Sequence, residues 1–137
     1  KSYNELPAYL AGWDLALLPF AMNEATRFIS PTKTPEYLAA GLPVLSTPIR
    51  DVVDPYGKLG LVEIANAGPE FVHAAESILT RGMGQSWHLE VRSFLETLSW
   101  DKTWMGMRTL MEQRLSAISV VASAPAVALA AAGRRAR

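Results

Sequence analysis

A chain of 137 residues, half of them apolar and 19% charged, has the composition of one modest packed domain and is not that of a disordered polymer. Thirteen basic residues balance thirteen acidic ones, which removes any general electrostatic drive toward nucleic acid or an anionic membrane. The absence of cysteine excludes disulfides and thiolate metal sites, and is compatible with a reducing compartment.

The first residue is Lys1, and no charged-then-apolar leader follows it, so no signal peptide is visible. The sequence is expected to begin inside a longer protein. Leu6 to Trp13 reads as the end of a helix with Leu6, Tyr9 and Leu10 on one face, stopping near Gly12. Leu15 to Leu18 is uniformly apolar, as a strand buried on both faces of a parallel sheet would be, and Pro19 ends it. Ala21 to Phe28 is polar and irregular, a loop leaving the carboxyl end of a strand, where open α/β sheets bind ligands.

Ser30 to Ser46 compresses a loop, a short helix, a stop and a strand. Thr34 before Pro35 is a helix start, because a hydroxyl caps free N–H groups and proline tolerates the first turn. Gly41 ends the helix, Pro43 prevents its resumption, and Pro43 to Thr47 is a second strand. A helix start beside Lys33, Ser30, Thr32 and Thr34 suits an anion. Glu36, in the first turn, admits two readings. It balances the helix macrodipole, worth ~0.3–1 kcal/mol, or its carboxylate accepts hydrogen bonds from vicinal hydroxyls such as those of a ribose. Lys33 is likewise a solvated loop lysine or a partner for a diphosphate, and Arg27 and Arg50 are weaker candidates of the same kind.

Pro48 to Gly60, with its aspartates and glycines, reads as a surface connection, and Gly60 to Ala65 as a third strand. A helix opens at Gly68-Pro69-Glu70 with Phe71, Ala75 and Ile78 as its stripe, widened by Val72 and Leu79. Gly82 and Gly84 break it. The next helix carries Trp87, Val91, Phe94 and Leu98. Ser99 caps a last helix striped by Trp100, Trp104, Met107, Met111, Leu115 and Ile118, which reads as packing surface. His73 and His88 have no acid and nucleophile partners in a motif and read as surface residues. From Ser119 the chain is alanine-rich and low in complexity. It is too short and too weakly apolar for the ~20 residues of a membrane span, and it reads as a frayed or disordered tail. No glycine-rich phosphate loop and no metal-ligand spacing is present. Short apolar strands alternating with helices predict an α/β fold, a three-stranded parallel half of a Rossmann-like doubly wound domain followed by C-terminal helices.

Three stretches carry a family resemblance: Asn4-Glu5-Leu6-Pro7-Ala8-Tyr9-Leu10, then Trp13 through Phe20, then Pro31 through Thr47 with its Pro-x-Lys-x-x-Glu-Tyr-Leu-Ala-Ala-Gly-x-Pro-Val core. Together they resemble the C-terminal, donor-binding domain of nucleotide-sugar-dependent glycosyltransferases of the GT-B fold, closest to the bacterial group 1, family 4-like enzymes. The likeness runs from about Tyr3 to Ile118. It implies a polysaccharide-building enzyme that transfers a hexosyl unit from a UDP- or GDP-type sugar to a glycan or lipid-linked acceptor. It also implies no metal or other cofactor, and a cytoplasmic location, peripheral at the inner face of the membrane. Residue by residue, Glu36 matches the glutamate that holds the ribose hydroxyls. Ser30, Pro31, Thr32, Lys33 and Thr34 match the loop facing the diphosphate and sugar. Ser99-Trp100-Asp101 matches the start of the helix that returns to the N-terminal domain. Phe28 stands where many members have a second glutamate on the donor sugar, so Asn23, Glu24 and Thr26 are the alternatives for that contact. The N-terminal acceptor domain and the first donor-domain strands would belong to the same protein outside this sequence, and the 137 residues alone are expected to be inactive. The competing reading is a non-catalytic α/β binding or interaction module.

Overall fold

The computed structural model describes residues 2–123, with side chains through residue 118. The chain divides into two compact units, Lys1–Thr97 and Leu98–Arg137. In the first unit a 3-10 turn, Tyr3–Glu5, leads into helix α1, Leu6–Leu10. Strand β1 (Ala16–Leu18), helix α2 (Lys33–Ala39), strand β2 (Val44–Ser46) and helix α3 (Arg50–Val52) follow. A π-turn at Val53–Gly57 precedes strand β3 (Glu63–Ile64), helix α4 (Pro69–Arg81) and helix α5 (Gln85–Thr97). The second unit contains helix α6, Trp100–Ser123, where the Lys102 N–H donates to the Ser99 hydroxyl at 3.2 Å as the capping residue predicts.

The three strands are parallel in the order β1-β2-β3, with Ala16, Leu17 and Leu18 opposite Val44, Leu45 and Ser46. Leu45 and Ser46 in turn face Glu63 and Ile64. Alternation along the strands sends side chains to two faces. Ala16, Leu18 and Val44 join one cluster with Leu10 of α1, Leu38 of α2, Val52 of α3, and Trp87 and Val91 of α5. Leu45 looks the other way and packs with Ala65 and Ile78, flanked by Leu15 and by Phe71, Ala74 and Ala75 of α4. Helices therefore cover both faces, as the doubly wound reading requires.

Several expectations change. β1 is not buried on both faces: Leu17 is 48% exposed, on the side that α4 covers over β2 and β3. Tyr9 is exposed, and α1 stops at Leu10. Val72 and Leu79 do not widen the buried stripe of α4, because Ala74 rather than either of them lies with Phe71, Ala75 and Ile78. Leu98 lies beyond α5 and is exposed. The segment from Pro48 to Gly60 is more than a surface connection. Ile49 and Val52 are fully buried and anchor the α3 turn to the first cluster. The third strand is only two residues long, although Leu61 and Val62 before it are buried. α6 continues through Ser123, past the predicted end of the helical pattern, and the rest of the alanine-rich tail lies outside the described residues.

Helix α2 ends as Gly41 and Pro43 predict. Gly41 takes a φ of 77°, its N–H donates to the Leu38 carbonyl at 2.9 Å, and the Leu42 N–H donates to the Tyr37 carbonyl at 3.1 Å. These two bonds form a Schellman stop, and the buried Leu42 seals it.

Candidate functional site

Connectivity fixes where the site residues stand. The loop after β1 begins at the carboxyl edge of the sheet, and α2 must return the chain to the amino edge to start β2. The first turn of α2 is therefore at the carboxyl edge, where parallel sheets present their ligand-binding loops. Two hydrogen bonds tie that loop to the sheet. The Phe20 N–H donates to the Leu18 carbonyl at 3.0 Å, and the Thr47 hydroxyl donates to the Phe20 carbonyl at 2.9 Å.

Further along, Asn23 Oδ1 accepts from the Ala25 and Thr26 N–H groups at 3.0 and 3.2 Å, a turn closed by the asparagine side chain. The Thr26 hydroxyl donates to the Ala21 carbonyl. Glu24 pairs with Arg27 at 3.5 Å, and the Arg27 guanidinium lies 5.2 Å from the centroid of Phe28. Asn23 and Thr26 are thus engaged in holding their own loop, and Glu24 is the exposed carboxylate among the three alternatives for a sugar contact. Phe28, at the position for which these three residues are the alternatives, is 75% exposed.

Ser30, Thr32 and Lys33 are exposed and Pro31 is half-buried. The helix begins two residues earlier than the sequence suggests, at Lys33 rather than Pro35, with Thr32 as the flanking residue. Thr34 is not the cap. It lies inside the first turn, fully buried, and its Oγ1 has no hydrogen-bond partner. Its burial puts the whole side chain, hydroxyl included, on the packed side of the helix. Lys33 Nζ donates to Glu36 Oε2 at 3.4 Å across one turn.

Sequence reasoning missed what Glu36 faces. A cleft of about 280 Å³ lies between α1 and α2, walled by Tyr3, Leu6 and Leu10 on one side and by Glu36, Ala39 and Ala40 on the other. The only signal available for it was the run of small residues at Ala39-Ala40, which leaves room beside the helix. The structure brings Lys33 and Glu36 together and joins Glu36 to this apolar cleft. Arg50 is exposed at the start of α3. His73 and His88 are exposed. Among the described residues no cluster of His, Asp or Glu is arranged to hold a metal ion, and no helix is long and apolar enough to cross a membrane.

No protein-family model matches the chain, and no curated protein or solved structure matches it.

Proposed function

We propose that this chain is the donor-nucleotide half of a GT-B-type glycosyltransferase. The observation that carries the reading is the position of Glu36, a carboxylate at the wall of an apolar cleft with an ammonium group 3.4 Å away. A nucleoside diphosphate has matching parts in matching order: a flat base for the apolar walls, a vicinal diol for a carboxylate, and a diphosphate for a lysine and exposed loop N–H groups. The intact enzyme would transfer a hexosyl unit to a glycan or lipid-linked acceptor held by its other domain. The work of this half would be to stabilise the leaving diphosphate electrostatically with Lys33 and the loop Ser30–Thr32.

Titration of the 137-residue chain with UDP and with GDP, followed by amide NMR, tests the reading. Shifts are expected at Ser30 to Glu36 and at Tyr3 to Leu6. Spectra unchanged by either nucleotide overturn it. The isolated chain is expected to transfer no sugar, because the acceptor side is absent from it.

One observation favours a second reading, a non-catalytic nucleotide-binding module. Phe28 offers no hydrogen bond to a donor sugar. Binding of UDP with no preference for any UDP-sugar over UDP would favour that alternative.

A further inference from the structure

The point where the candidate nucleotide loop leaves the sheet is held by a residue outside the loop. Thr47 follows β2, is 1% exposed, and makes three contacts to the end of β1. Its N–H donates to the Leu18 carbonyl at 3.2 Å. Its Oγ1 donates to the Phe20 carbonyl at 2.9 Å and lies 3.4 Å from the Leu18 carbonyl. Between those carbonyls is Pro19, which has no N–H to extend the ladder. The Phe20 N–H closes back on Leu18 in a γ-turn, so the chain leaves the sheet at this point. Without the Thr47 hydroxyl, the Phe20 carbonyl loses the donor that sets the direction of departure. The next hydrogen bonds, from Thr26 and Asn23, are internal to the loop, and its far end is held by Ile29, which packs against the core cluster just before Ser30. Ile49 and Val52, both buried, seat the backbone that follows Thr47 in the core.

We infer that Thr47 is a positioning residue for nucleotide binding: its side-chain hydroxyl fixes the exit of β1 and thereby the placement of Ser30 to Lys33 relative to Glu36. This rests on the nucleotide-binding reading of that loop, and it assigns Thr47 no contact with the ligand.

The test compares Thr47→Val, which keeps the shape and removes the hydroxyl, with Thr47→Ser, which keeps the hydroxyl and removes the methyl. UDP affinity, thermal melting and amide spectra are measured on the full chain. The valine variant is expected to bind UDP about tenfold more weakly, the loss of one well-placed hydrogen bond, with amide shifts extending from Phe20 to Lys33. The serine variant is expected to bind within about twofold of the parent while melting lower, because it loses packing but not the bond. A valine variant with parental affinity, or with shifts that stop before Ile29, overturns the inference. If the parent binds no nucleotide, the functional reading fails, and the extent of the valine variant's shifts still decides whether Thr47 positions the loop. If the valine variant does not fold, the hydroxyl proton of the parent is observed directly. A slowly exchanging Thr47 resonance close to Phe20 supports the inference, and a freely exchanging one overturns it.

Discussion

Lys33 and Glu36 face each other across one turn of α2, with Nζ 3.4 Å from Oε2, and both side chains keep access to solvent. Their pairing brings opposite charges to one edge of the sheet. An exposed pair of this kind contributes ~0–1 kcal/mol to folding. Lys33→Ala and Glu36→Gln are therefore expected to leave the urea midpoint nearly unchanged. On the proposed nucleotide reading, each is expected to weaken UDP binding about tenfold or more, because each would remove a charge-assisted contact to the ligand. Calorimetric titration of both variants checks this, and unchanged affinity in both removes these residues from the site.

Thr34 separates a packing role from a binding role. Its hydroxyl is buried without a partner, which costs about 1–3 kcal/mol relative to a group that needs none. Thr34→Val keeps the shape and is expected to raise stability by up to ~1 kcal/mol in urea denaturation, with nucleotide affinity unchanged. A clear loss of affinity in the valine variant would instead return Thr34 to the contact set that the family resemblance implies.

Gly41 tests the stop of α2. Its positive φ is one that side chains rarely adopt, while a Cβ there meets nothing within 4 Å. Gly41→Ala is therefore a purely conformational change, with an expected cost of ~1 kcal/mol and no loss of packing. A cost near zero in equilibrium unfolding would mean that the backbone relaxes out of the Schellman geometry.

Tyr56 contributes to the response to alkaline pH. Burial raises its phenol above the usual value of about 10, and its ring meets Phe94 edge-on at 5.3 Å. The unfolded chain releases the proton first. The stabilisation is therefore whole below about pH 10 and is lost as pH rises through the folded value. Melting temperature is expected to fall over that range, and less steeply in Tyr56→Phe. Parallel curves for the two proteins would show that another group controls the fall.

The parallel α/β pattern, the Gly41 stop and the Ser99 cap were legible because each depends on neighbours in sequence. Pro19, Gly41 and the apolar runs act through local backbone geometry. Thr34 was misread because its sequence context matches a cap, whereas tertiary packing buries it inside the first turn. The buried turn at Ile49 and Val52 was hidden by the aspartates and glycines around it. Leu17 looks like Leu18 in sequence, and only the placement of α4 makes one exposed and the other buried. The cleft beside Glu36 needed α1 and α2 to be set side by side, which no spacing within either helix encodes. The sequence offered Glu36 and Lys33 from their place at a helix start, each with two readings that the family resemblance weighs toward a nucleotide, and the structure adds their 3.4 Å pairing and the cleft that Glu36 lines.

The contact between α2 and α5 has a consequence for the order in which the molecule can be assembled. Every residue of the candidate nucleotide loop has been synthesised by the time Thr47 is made, yet the cluster that seats α2 also needs Trp87 and Val91. The loop is thus covalently complete long before it is held in place. A chain released before α5 would carry the whole motif and lack half of the wall against which its helix rests.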